Sequence, residues 1–183
     1  VLQTGRTGDQ FVPAEMVAII GGSGLPRLDG LRDVQHSDVD TPYGSPSAAL
    51  TYGRLGDRPV VFLARHGDGH AIPPHRINYR ANMWALSRSA PAGIVAVAAV
   101  GGIRADLSPG DLVLPDQIID YTWGRKSTYY ESSDGTMAMH VDFTEPYDQR
   151  LRDKLLRAAA ALALPVKESA VYAATQGPRL ETV

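Results

Sequence analysis

The stretch Val60-Val61-Phe62-Leu63-Ala64-Arg65-His66-Gly67-Asp68-Gly69-His70 decides the fold. Its first five residues are apolar and β-prone, a short run that reads as a buried strand. The strand then ends in an arginine and a histidine, and two glycines follow. In open α/β sheets, ligands sit at the carboxyl edge of the strands. Arg65 stays protonated, and its planar fork matches an oxyanion, so phosphate is the ligand this strand end suits. A second strand repeats the pattern: Ala18-Ile19-Ile20 runs into Gly21-Gly22-Ser23-Gly24-Leu25.

Working outward, Val17 to Ile20 and Leu50 to Tyr52 read as strands, with turn composition over residues 53–57 and loop composition over residues 30–48. Pro73-Pro74 precedes a helix carrying Ile77, Ala81, Trp84 and Ala85 at helical spacing. Residues 94–100 are apolar throughout and read as the central strand, buried on both faces. Leu112 to Leu114 and Ile118-Ile119 form a further strand, interrupted at Pro115. Residues 122–139 are a polar, aromatic excursion, too long for a simple connection. Leu151, Leu155, Leu156, Ala159 and Leu162 mark a helix stopped by Pro165, and residues 169–174 a last strand. Strands alternating with helices mean α/β, and residues 16–183 read as one domain. Residues 1–15 are polar and aperiodic, a loose leader or appended remnant, with Met16 a natural start.

The chain has 183 residues, enough for one sizeable core, and a formal net charge of -2. That balance argues against a nucleic-acid partner, which needs a basic footprint. Cysteine is absent, which removes disulfides, thiolate metal sites and a cysteine nucleophile. No apolar segment approaches a membrane span, and residues 1–15 lack the apolar core of a secretory signal. A cytoplasmic enzyme is expected.

Gly21-Gly22-Ser23-Gly24 is neither a Walker loop nor a dinucleotide fingerprint, since no Lys follows and Arg27 stands where the latter needs a small residue. Small residues let backbone N–H groups approach an anion, but a tight strand-to-loop turn needs the same residues. His66, His70 and His75 lie among glycines and prolines that oppose the helical spacing of a metal site, so no metal is expected. Val97 to Gly102 suits a crowded sheet centre, or offers a free N–H to an anion at the strand end. There is no nucleophile elbow, and Asp106, Asp111 and Asp116 read as turn and solvent residues.

Together these pieces resemble the trimeric purine nucleoside phosphorylase and methylthioadenosine phosphorylase family. The resemblance rests on residues 20–25, Ala64-Arg65-His66-Gly67, the run Asn78 to Leu86, Pro109-Gly110-Asp111, His140 with Glu145-Pro146, and Thr175-Gln176-Gly177-Pro178-Arg179-Leu180-Glu181-Thr182. It extends from about Met16 to Val183, and the pattern is nearest the bacterial branch acting on S-methyl-5′-thioinosine.

The resemblance implies a mixed, twisted central sheet flanked by helices. It implies phosphorolysis of a purine nucleoside, here S-methyl-5′-thioinosine, to free purine and 5-methylthioribose 1-phosphate in purine salvage. Methylthioadenosine or general purine nucleosides are the alternative substrates. No metal or organic cofactor is implied; inorganic phosphate is the co-substrate. Ser23, Arg65, His66 and the Ala99 backbone would hold phosphate. Ala98 stands where many relatives carry a hydrogen-bonding side chain. His140 would reach a neighbouring subunit's ribose pocket in a homotrimer, and Leu180 and Glu181 would line the purine. Glu181 would favour a 6-oxopurine, or else cap a following helix. The family continues past the Gly-Pro-Arg motif, so base-protonating residues are expected beyond Val183, and no catalytic acid is assigned. A nucleoside hydrolase and a non-catalytic nucleoside-binding fragment are the remoter expectations.

Overall fold

Strands β1 (Val17–Gly21), β2 (Leu31–Ser37), β3 (Leu50–Leu55) and β4 (Arg58–Ala64), helix α1 (Tyr79–Arg88) and strand β5 (Gly93–Ala96) build one sheet and its covering helix. They belong to a computed structural model that describes residues 16–130 and 140–178. The sheet order is β2-β3-β4-β1-β5, with β1 parallel to β4 and β5, and β3 antiparallel to β2 and β4. It is a mixed sheet in an α/β fold.

β4 is buried from Val60 to Ala64 because it has a strand on either side and cover on both faces. Val61 and Leu63 join Ala18 of β1, Leu50 of β3 and Ala85 and Leu86 of α1 in the core. The helix starts where the Asn78 side chain accepts from the Ala81 N–H at 3.2 Å, satisfying one of the otherwise orphaned first-turn donors. A polar pair seals its other end, Tyr52 Oη to Ser89 Oγ at 2.7 Å.

Two expectations are corrected here. Residues 31–37 are a strand, not loop. β2 is an edge strand exposed on almost all its length, so its residues need no apolar alternation, and backbone pairing with β3 holds it. The run 94–100 is not the central strand. Only residues 93–96 pair, with β1 alone among the described residues, and Val97 and Val100 are exposed. No residue of the run is buried, so apolar composition set neither its burial nor its place in the sheet; the central places belong to β4 and β1.

The chain forms two compact units, divided near residues 98 and 99, with residues 73–77 assigned to the second. That second unit contains β6 (Leu112–Val113), β7 (Gln117–Asp120), α2 (Gln149–Ala161), β8 (Val166–Lys167) and β9 (Val171–Ala174). The single strand expected around Pro115 is two. Proline has no N–H to give a ladder, so β6 pairs with β8 and β7 with β9, both parallel. Asp116 bridges the break by accepting from Ser169 Oγ at 2.6 Å and the Ala170 N–H at 3.2 Å. Arg152 of α2, buried, donates to the carbonyls of Leu114 (3.0 Å), Pro115 and Glu168 (2.8 Å), tying the helix to the ends of β6 and β8. The expected leader (1–15), the second half of the aromatic excursion (131–139), and Leu180 and Glu181 lie outside the described residues.

Candidate functional site

Parallel pairing sets the geometry. Gly21 stands opposite Ala64 and Ile20 opposite Ala96, so β4, β1 and β5 end at one edge of the sheet. The ladder continues one step: the Arg65 N–H donates to Gly21 O and the Val97 N–H to Ile20 O, each at 2.9 Å. Arg65, Gly22 and Ala98 then leave the sheet side by side.

Gly22 is the piece that reading the sequence left undecided. A β-carbon on it would stand 2.5 Å from Arg65 Nη2 and 2.8 Å from Val97 O. Only glycine lets the guanidinium lie across the end of β1. Arg65 is half-buried; its Nε is buried without a hydrogen-bond partner, and its side chain bonds to no other described residue. A buried donor left unpaired costs about 1–3 kcal/mol, so this guanidinium is poised for an acceptor from outside the protein.

Backbone donors unbonded among the described residues lie at the neighbouring strand ends. The Leu25 N–H closes a turn onto Gly22 O at 3.0 Å, while the amides of Ser23 and Gly24 have no partner among the described residues. Ser23 is exposed, with its hydroxyl equally uncommitted among them. The Ala98 N–H is also unbonded among those residues, and Ala99 belongs to the second unit. Successive free amides beside a fixed cation make an anion-binding concavity.

His66 is only 6% exposed. Its Nδ1 lies 2.8 Å from Ile72 O, and since a carbonyl only accepts, Nδ1 carries the proton and Nε2 is left as acceptor. Burial first, then the charges of Arg65 and His70, lower its pKa from 6.5, against the Ile72 carbonyl, which raises it. The ring is therefore neutral at pH 7. Gly67, at φ 73°, would carry a β-carbon 3.0 Å from both Ile72 Cδ1 and Ser47 O, so the tight path around His66 also requires glycine.

The structure thus brings Ser23, Arg65, His66 and Ala98 to one sheet edge. His140 is exposed in the second unit. The His66 and His70 rings sit 4.3 Å apart, His75 is exposed, and no metal-binding cluster of His, Asp or Glu occurs among the described residues. Asp106, held by Arg104 at 2.7 Å, and Asp116, held by Ser169, both have their carboxyls below the usual carboxylate range because of those hydrogen bonds. A separate cavity of about 390 Å³ includes Arg27, His36, Thr51 and Phe62 in its lining, and none of the four converging residues. No helix among the described residues is long and apolar enough to cross a membrane.

Comparison with known proteins adds the following. The family model described as Phosphorylase superfamily matches residues 16–183. The chain is 47% identical over 167 residues to the probable S-methyl-5′-thioinosine phosphorylase of Xanthomonas campestris, covering 91% of this chain and 66% of that one. It is 45% identical over 170 residues to the 6-oxopurine nucleoside phosphorylase of Pyrococcus furiosus, covering 91% and 63%. The structure of methylthioadenosine phosphorylase from Schistosoma mansoni in complex with adenine superposes with a TM-score of 0.85 at 36% identity, over 92% of this chain and 67% of that one. The chain spans about two thirds of the length of these relatives.

Proposed function

The chain belongs to the phosphorylase superfamily, and from that premise we propose that it carries the phosphate-binding part of a purine nucleoside phosphorylase. The reaction is phosphorolysis of S-methyl-5′-thioinosine to hypoxanthine and 5-methylthioribose 1-phosphate. One observation carries this reading: the guanidinium of Arg65, without a hydrogen-bond partner among the described residues, lies across Gly22 at the sheet's carboxyl edge, beside backbone amides equally unbonded among them. Phosphate held there by Arg65, Ser23 and the Ala98 and Ala99 amides faces the anomeric carbon of the ribose. The bond from that carbon to the purine nitrogen breaks, and its electron pair leaves with the base, which takes up a proton. The ribosyl group passes through an oxocarbenium-like state, and a phosphate oxygen forms the new bond. Positioning and electrostatics supply the acceleration, with no metal or organic cofactor. Neutral His66 offers Nε2 to a protonated phosphate oxygen.

Residues 16–183 belong to one nucleoside phosphorylase domain, which acts in the cytoplasm. The protein assembles as a homotrimer, supported by the exposed Trp123, Tyr129 and Tyr130, since aromatic side chains are enriched at interfaces. His140 then completes a neighbouring subunit's ribose pocket, and Leu180 and Glu181 line the purine. An ionised carboxylate only accepts, so Glu181 pairs with the N1–H of a 6-oxopurine and repels the N1 of adenine.

Hypoxanthine release from methylthioinosine, measured with and without phosphate, tests the reaction. Strict phosphate dependence is expected, and phosphate-independent release points to a hydrolase. The ratio of kcat/KM for methylthioinosine over methylthioadenosine should be large and fall sharply in Glu181→Gln; a preference for methylthioadenosine contradicts the assigned base.

A further inference from the structure

We propose that His70 is a positioning residue for His66, holding the plane of that ring at the phosphate edge, a role that rests on the phosphate-binding reading above. The two histidines belong to a loop closed on itself. The Ile72 N–H donates to His66 O and His66 Nδ1 donates to Ile72 O, each at 2.8 Å. Five residues lie between these two anchors. Three of the five adopt the left-handed backbone: Gly67 at φ 73°, Gly69 at φ 64° and His70 at φ 59°. Glycine enters that region freely, whereas a residue with a β-carbon does so at a cost. A strained residue persists where its surroundings hold it, and such residues gather at functional sites.

The strained turn folds the His70 ring back onto His66. The ring centroids stand 4.3 Å apart, with the planes inclined by 38°. His70 is exposed, and its imidazole makes no hydrogen bond among the described residues, so no polar partner there accounts for its position. His66 is buried, and among those residues its ring is hydrogen-bonded through Nδ1 alone. One hydrogen bond fixes a single edge of an imidazole and lets the plane pivot about it. A second ring in contact with the first limits that pivot, and with it the position of Nε2, the acceptor left for phosphate. Charge acts in the same direction. Burial foremost, and then the charges of Arg65 and His70, hold the His66 pKa below 6.5 against the Ile72 carbonyl, so the ring stays an acceptor. His70 touches no phosphate in this role; it sets the plane of the ring that does.

Calorimetric titration of inorganic phosphate into the full chain tests this in His70→Ala, His70→Gly and His70→Phe, and in His66→Ala with and without His70→Ala. In His70→Ala the phosphate Kd should rise about three- to tenfold, the worth of one aromatic pair. His70→Gly suits the left-handed backbone and should lose as much, since relief of strain does not replace the ring. His70→Phe keeps a ring against His66 and should return the Kd to within about twofold of wild type. In the His66→Ala background, His70→Ala should add less than about twofold, because it acts through His66. Tm should stay near wild type in all three single His70 variants. Wild-type affinity in His70→Ala overturns the proposal, as does an equal loss in both backgrounds or no recovery in His70→Phe. A wild type that binds no phosphate overturns the phosphate edge itself, and this role with it.

Discussion

Arg65 and Arg152 are two guanidiniums drawn into the protein, and they end differently. Arg152 is 9% exposed and gives its Nη1 and Nη2 donors to the carbonyls of Leu114, Pro115 and Glu168. Its two terminal nitrogens tie a helix to two strand ends, while its Nε, like that of Arg65, is buried without a partner. Arg65 is held across Gly22 at the edge of the first sheet, and its side chain bonds to no other described residue. Burial of a cation alone therefore does not mark a site. What marks it is a cation at a sheet edge whose terminal nitrogens make no hydrogen bond among the described residues.

Substitution separates the two most strongly. Arg65→Ala should lower phosphorolysis by at least about 10²–10³-fold, as the loss of a transition-state clamp does, with little change in Tm. Arg65→Lys should also be impaired, since an ammonium cannot reproduce the fork. Steady-state rates beside a melting curve would show it, and an Arg65→Ala protein of normal turnover breaks the comparison. Arg152→Ala should do the reverse. Stripping three carbonyls of their donor costs about 2–4 kcal/mol of stability, read by denaturant unfolding, while the phosphate KM stays near wild type. Gly22→Ala tests the cradle: its β-carbon collides with Arg65 Nη2 and Val97 O, and the phosphate KM should rise by about tenfold or more. If KM does not move, the guanidinium does not depend on that bare backbone.

The smallest effect concerns His66, whose pKa is lowered in the fold. The unfolded imidazole binds a proton at a higher pH than the folded one, so the unfolded state gains protons first on acidification. Stability should fall as pH drops from about 6.5 through the lower folded value, and be level above it. His66→Asn should flatten that slope in a pH series of unfolding curves.

What was legible in the sequence was local. The burial of β4 and the arginine after it are written in adjacent residues, and so are α1 and α2. The exposed edge strand β2 left no apolar pattern to read. The edge place of β5 was hidden because ladder partners are set at long range. The break at Pro115 was visible, but that β6 and β7 take different partners depends on β8 and β9, about fifty residues away. The site divides in the same way. Ser23, Arg65 and His66 could be named from strand-end chemistry and family resemblance. The use of Gly22 as the floor under Arg65 appears only when β1 and β4 lie side by side. The carbonyls that occupy Arg152 come from residues 16 to 38 positions distant, which no local window shows.

Calorimetric titration of inorganic phosphate into the wild type, Arg65→Ala and Arg152→Ala tests the central claim most directly. Saturable binding is predicted for the wild type and for folded Arg152→Ala, and its loss in Arg65→Ala. Phosphate binding by Arg65→Ala with wild-type affinity would contradict the assignment of this sheet edge as the phosphate site.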